Sequence, residues 1–510
     1  MESLKGYVTD WWNDMGIITS LLFGLFGSVI VFGIVRQTFG KREKLPPGPL
    51  KIPFPLNIIA SLFSKEGKMD MILSAKRKYG DLVSIEIDGQ PKILVGSPEL
   101  VRELFVKHGD VSSSRAASKP LKAMINYTGG IIFGDSWQPL RRFSLSALRT
   151  FGMGKRSIAS KITEEARIFT DGLWESQTVE GVNPSGLLNK AISNVICSIT
   201  FGKRFEYSDP DYIIQVENIK KIMAGGNIPP VLRIVAQRFP VIFRSPLSKN
   251  AKKRLQSLKD FIVQQVDEHD RTFEGDDIRD IVDSFLAECR RLQEKGEQEC
   301  YIRKEDIWMS VWELFIAGTE TTASALAWFF LFMAAHPDIQ EQVFKEIVTT
   351  IGSERAPVYD DRKNMPYTEA TLAEVLRHRP VAPFGLPHVA DETIHVRDYV
   401  IPKGSTILAN ILGIHHDPEL FPEPSKFDPN RFLSDDGQTF VKNDAYTAFG
   451  LGRRSCLGEQ LAKMEFFLFA TSVLQRFTIR LPAGATPDYS IGHRMMTLLP
   501  SDFYIHLDKR

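Results

Sequence analysis

Apolar and polar positions alternate through "LVSIEIDGQPKILVG", residues 82–96, on both sides of Asp88-Gly89. Period two on either side of Asp-Gly predicts a β-hairpin. A second β region is predicted in "ETIHVRDYVIPKGSTILAN", where β-branched residues alternate and Pro402-Lys403-Gly404 turns the chain. Elsewhere the period is helical, most clearly over 158–174, 251–267, 280–293 and 337–351. The longest such pattern begins at Asp306 and is stopped by His336-Pro337. Its unbroken apolar part, 324–335, is shorter than the ~20 residues a bilayer requires, so it reads as a core helix. The pattern as a whole predicts a mainly α domain with small β-sheets. It shows no alternation of strands and helices of the kind a doubly wound sheet needs.

One segment stands apart. Residues 16–35 read "GIITSLLFGLFGSVIVFGIV", with no charge. Asp10 and Asp14 precede it, while Arg36, Lys41, Arg42 and Lys44 follow. Length and charge asymmetry predict a transmembrane anchor with the basic side in the cytosol. A cleaved leader carries its charge before a shorter apolar run. The expected organisation is a lumenal 1–15, an anchor at 16–35, a basic and Pro-rich hinge at 36–49 holding "LPPGP", and one globular domain at 50–510. For 510 residues, 43% of them hydrophobic, the length prior is ~3 domains, but neither a repeat nor a Gly/Ser linker divides 50–510. The net charge of +1 gives no nucleic-acid signal. Four scattered cysteines without a CxxC argue against a disulfide framework or a zinc knuckle and fit a reducing compartment.

The candidate chemistry lies in "AFGLGRRSCLGEQLAK", residues 448–463. A lone cysteine beside an apolar helix is usually a buried small hydrophobe. The Gly450-Leu451-Gly452 triplet lacks the third glycine and preceding strand of a phosphate loop. A second reading uses more of the residues. Cys456 stands just before a predicted helix, whose positive end lowers a thiol pKa. Gly452 and Gly458 leave room for a flat group against the backbone. Arg454 can fork onto a carboxylate of that group, and Phe449 can cover the sulfur side. Thiolate, flat partner and carboxylates together describe haem with cysteine as axial iron ligand.

Phe449-x-x-Gly452-x-Arg454-x-Cys456-x-Gly458 resembles the ligand loop of the cytochromes P-450, the haem-thiolate monooxygenases. Four further motifs agree in order. "AGTETT" resembles the oxygen groove: Ala317 and Gly318 would make room over the iron, Thr321 would steady dioxygen, and Glu320 would help relay protons. On sequence alone, threonines in a helix more often bond back to their own carbonyls. "EVLR" places Glu374 and Arg377 one turn apart, ordinarily a weak exposed pair. The resemblance makes it a buried pair completed by Arg431, with Asn430 where the family often has an acid. Trp137 and Arg141 in "WQPLRR" would donate to a haem propionate, and Arg115 and His388 stand where microsomal relatives supply further donors. His415-His416 matches a family loop without ligands.

The resemblance covers nearly all of 50–510 and is nearest to the microsomal, animal family-two group. It implies haem b (iron protoporphyrin IX), dioxygen and a lipophilic substrate such as a steroid, fatty acid or xenobiotic. Electrons would come from NADPH through a separate cytochrome P-450 reductase, with cytochrome b5 as a second candidate donor, at the endoplasmic reticulum membrane. Arg142, Arg149, Lys155, Arg156, Arg453 and Lys463 are candidates for a basic docking face. Pocket lining is expected from 125–133, Phe315, Ala317, 381–386 and 491–496. His493-Arg494 is a candidate binder of a substrate carboxylate. Two other readings stay open: a haem-thiolate isomerase or lyase without a reductase, and an anchored haem protein without turnover.

Overall fold

The structure is a computed structural model that describes residues 44–49, 75–87, 90–115, 122, 124–127, 129–151, 156–223, 248–274, 277–296, 301–490 and 497–510. The expected anchor, residues 36–43 of the hinge, Lys155 and the 491–496 lining lie outside the described residues.

The hairpin forms where alternation placed it. β1 (Leu82–Ile87) pairs antiparallel with β2 (Gln90–Val95), Leu82 opposite Val95 and Ile87 opposite Gln90. The helices of more than ten residues are α1 (Trp137–Phe151), α2 (Arg156–Glu175), α3 (Ser185–Thr200), α4 (Pro210–Met223) and α5 (Lys249–Thr272). They continue with α6 (Ile281–Glu294), α7 (Ile307–Ala335), α8 (Pro337–Thr350) and α9 (Pro366–His378). β3 (His388–Val389), β4 (Ile394–Val396), β5 (Tyr399–Ile401) and β6 (Thr406–Ala409) form the second β region. α10 (Glu459–Arg476), β7 (Phe477–Arg480) and β8 (His506–Lys509) complete the chain. β6 returns to lie parallel to β2, giving a four-stranded sheet ordered β1-β2-β6-β3; β4-β5 and β7-β8 are separate two-stranded sheets. The domain is mainly α with small sheets, as the periodicity predicts.

Residues 44–49 are extended and tied to the sheets rather than standing free. Ser84 N donates to Pro47 O at 2.8 Å and Val400 N to Lys44 O at 2.9 Å. A Cβ on Gly48 would stand 1.9 Å from Ser84 O, so only glycine permits this approach.

α7 is the core helix. Its second half is apolar all round and buried, with Trp328, Phe329, Phe330 and Leu331 inaccessible, which is the mark of an interior helix. α3, α4, α5 and α10 pack around it. His336 N donates to Phe332 O at 2.9 Å where Pro337 ends the run.

The Glu374–Arg377 pair is not the exposed one that its spacing suggests. Both side chains are inaccessible, with Arg377 Nε and NH2 donating to the two Glu374 oxygens at 2.6 and 2.8 Å. Arg431 Nε stands 3.6 Å from Glu374 Oε1, and Asp428 N donates to that oxygen at 2.9 Å. Arg377 also donates to His415 O at 2.8 Å, and His415 Nε2 accepts from Thr447 N at 3.0 Å. These links run from α9 to the start of the cysteine loop. His415 and His416 are held neutral by burial and by Arg377, at about 3 and about 4.

Candidate active site

The cysteine loop is shaped by its own backbone. Gly450 N donates to Thr447 O at 2.9 Å, and Cys456 N donates to Phe449 O at 2.8 Å. Between them Gly452–Arg454 makes one 3₁₀ turn. Gly452 has φ +79°, and a Cβ there would stand 2.0 Å from Phe105 O. This glycine serves the contact with Phe105, and it does not line the cavity. That corrects the reading in which Gly452 makes room for a flat ligand. Gly458 fits that reading: it lines the cavity, and its Cβ would meet no protein atom within 4 Å.

The cavity, about 600 Å³, lies between the cysteine loop and the middle of α7. Cys456, Phe449 and Gly458 line it from the loop, and Ala317, Gly318 and Thr321 from the helix. Cys456 is exposed into it, whereas Cys197 and Cys289 are buried in the core. Burial raises the Cys456 thiol above its ordinary value, against the opposing pull of the Gly458 N–H and Arg141. Gly458 is the cap, so the sulfur stands outside the first turn, where the dipole is strongest.

Three guanidiniums converge on the same cavity. Arg141 NH2 donates to Ser455 O at 2.6 Å. Arg454 donates through Nε to Ser113 O at 2.9 Å and through NH1 to Ile131 O at 2.8 Å, and lies 3.4 Å over the Trp137 ring. Arg115 Nε is buried without a hydrogen-bond partner. Burial and mutual repulsion push Arg115 down to about 10 and Arg454 to about 9, and burial lowers Arg141. Buried cations persist when anions pair with them. Here Glu313 alone attracts Arg115 and Arg454 among the described residues. His388 Nδ1–H donates to Ser112 O at 2.7 Å, and its ring stacks on Phe105 at 4.1 Å. A group bringing two carboxylates and a soft-ligand metal fits these donors. The Trp137 ring supports Arg454 as a shelf.

The α7 residues divide. Thr321 Oγ1 donates to Ala317 O at 2.6 Å, with both residues on the cavity. A Cβ on Gly318 would stand 2.4 Å from Ile196 Cδ1, so this glycine first permits α3 to approach α7. Glu320 is buried and does not line the cavity. Phe315, expected in the lining, instead packs toward Phe201 at 6.3 Å between ring centres; Leu314, Ile316 and Ala317 take the cavity face.

Two lining acids escaped the sequence reading. Glu313, one turn before Ala317, accepts from Tyr127 Oη, from Ile132 N at 2.8 Å and from Phe133 N at 3.3 Å. Burial pushes it up to about 7. A Cβ on Gly130 would meet its Oε2 at 2.5 Å, so the 129–134 loop closes tightly over this carboxyl. Glu465, on α10, is buried against Thr322 and is pushed up to about 8 by burial. The available signal in both cases was an acid within an otherwise apolar helical run.

A mainly helical domain that opens one cysteine sulfur into an apolar cavity, ringed by guanidiniums with no carboxylate ion pair among the described residues, defines the haem-thiolate class. The model of the family "Cytochrome P450" matches residues 46–507. Cytochrome P450 2D10 of Rattus norvegicus is 35% identical over 515 residues, covering 99% of this chain and 98% of the relative. Cytochrome P450 2G1 of Rattus norvegicus is 35% identical, covering 94% and 96%. Cytochrome P450 2B19 of Mus musculus is 33% identical, covering 96% and 99%. The chain belongs to the cytochrome P450 family, and these similar relatives are animal family-two members. It is a monooxygenase whose cofactor is haem with a cysteine thiolate axial ligand, acting with dioxygen, a small-molecule substrate and a redox partner.

Proposed function

We propose that the chain inserts one oxygen atom of O2 into a lipophilic substrate, by hydroxylation or epoxidation, with electrons from NADPH delivered by a separate reductase. Cytochrome b5 is a second candidate donor. In this reading the catalytic domain faces the cytosol from the endoplasmic reticulum membrane, held by one span at 16–35.

Cys456 would hold the haem iron through its sulfur. Arg115, Arg141, Arg454 and His388 would hold the propionates, with Trp137 beneath Arg454. Haem, when bound there, would supply dioxygen activation. The remaining work falls to the protein. Ala317 keeps the α7 wall small, Gly318 sets the height of that wall, and the apolar lining excludes water. Thr321 holds a proton at Oγ1 on the cavity face, with Glu320 assigned to its resupply. The supporting observation is the coincidence, in one apolar cavity, of the Cys456 sulfur with guanidiniums that have no carboxylate ion pair among the described residues.

Product analysis with reductase and NADPH tests the reading on a panel of steroids and fatty acids. The expected result is oxygenated product that needs both reductase and NADPH. Turnover independent of a reductase favours the isomerase or lyase.

A further inference from the structure

The cavity has a charged wall that the haem-side chemistry does not use. Lys221 of α4 and Arg254 of α5 line it beside Ile222, Ala251 and Leu255. Ala251, Arg254 and Leu255 fall at i, i+3 and i+4, so Arg254 sits on the stripe of α5 turned to the cavity. α5 is anchored on the first turn of α7, with Lys259 Nζ 4.3 Å from the Trp308 ring centre. α4 and α5 pack on each other and on α7, whereas the helix that follows Cys456 packs on α2, α7 and α8. The charged wall and the sulfur thus reach the cavity from different helices packed on α7.

This wall has no acid of its own. Residues 218–259 contain no Asp or Glu and ten Lys or Arg, in a chain whose net charge is +1. Lys221 has an exposed neighbour, Glu217, at 3.7 Å. Arg254 is half-buried and has no ion pair among the described residues. The 224–247 segment that joins the two helices holds three further arginines and no acid. Asp260 accepts from Gln256 at 2.7 Å, and the lining acid Glu313 is held by Tyr127 and two amides. An unpaired guanidinium on an apolar cavity is a site for a carboxylate, which it grips in a fork.

We infer that the cavity takes a long-chain lipophilic anion, its carboxylate held by Arg254 and its apolar chain extending toward Cys456. The inference deepens the monooxygenase reading and rests on it for its meaning.

Equilibrium dialysis of the full haem-loaded chain in phosphatidylcholine nanodiscs, with empty nanodiscs subtracted, tests it using radiolabelled dodecanoate and dodecanol. Arg254→Ala should weaken dodecanoate binding about tenfold and leave dodecanol binding unchanged. Arg254→Gln, closer in shape, should repeat that loss, and Arg254→Lys should restore part of it. Equal loss of both probes, or no loss of dodecanoate, overturns the inference. So does a variant that binds dodecanoate normally but loses affinity for phosphatidylserine vesicles, because the basic stretch then serves the bilayer. Dialysis reads binding without turnover, so the two readings fail separately: a carbonyl spectrum without thiolate character fails the monooxygenase assignment, not this one.

Discussion

Gly452 shows how one residue can be required for a reason different from the first one that comes to mind. Its φ of +79° excludes a side chain, and so does the Phe105 carbonyl oxygen, 2.0 Å from where a Cβ would stand. Gly452→Ala should cost more than ~1 kcal/mol of stability. Because the displaced loop carries Cys456, haem content per folded protein should fall as well, measured by pyridine haemochrome against circular dichroism. Thr321 makes a different case. Its proton is donated to Ala317 O, and the oxygen, on the cavity wall, keeps lone pairs that can accept from a ligand or water there. Thr321→Ala should raise peroxide released per NADPH consumed while leaving haem content unchanged; unaltered coupling removes Thr321 from the proton path.

At the scale of elements, the Glu374–Arg377–Arg431 network fastens α9 to the segment that leads into the cysteine loop. Removing one partner of a buried ion pair typically costs roughly 3–5 kcal/mol, because the other charge is stranded. Arg377→Ala is therefore expected to yield little folded holoprotein, whereas Lys363→Ala, on an exposed pair, should change the denaturation midpoint hardly at all. The spacing of "EVLR" could not distinguish these cases, because i,i+3 looks the same on a wet face as on a dry one. What was legible in the sequence was whatever is set by period and punctuation. The Asp-Gly hairpin, the helix from 307 to 335 with its proline stop, and the loop that frames Cys456 were all readable. What escaped depended on contacts between distant segments. Phe105 against Gly452, Ile196 against Gly318 and Arg454 over Trp137 join residues more than a hundred positions apart. Glu313 and Glu465 escaped because an acid in an apolar run has no partner visible in its own helix. Phe315 was misplaced by a single helical step.

For the whole molecule, buried titratable groups set the pH range of the fold. Burial holds His378, His415 and His416 neutral, at about 2, about 3 and about 4. Unfolded histidine protonates near ~6.5, so the unfolded state gains protons as pH falls below that value and stability declines. Glu313 and Glu465, pushed up to about 7 and about 8, act in the other direction. They keep protons in the fold that the unfolded chain has lost above ~4.3, so their contribution declines as pH rises toward 8. The two sets oppose each other, so stability is expected to fall as pH drops below ~6.5 and again as it rises toward 8. Urea midpoints of the full chain between pH 5 and 8 check this, and Glu465→Gln should flatten the alkaline limb. A midpoint rising steadily from pH 7 to pH 8 contradicts the assignment of these two carboxyls.

The whole account depends on sulfur from Cys456 binding iron within the cavity that Thr321 faces. The difference spectrum of the purified full chain, reduced and exposed to carbon monoxide, tests this most directly. The account predicts the band of a thiolate-ligated ferrous carbonyl, abolished in folded Cys456→Ala protein. A band of imidazole type in folded parent protein, or one that survives Cys456→Ala, contradicts it.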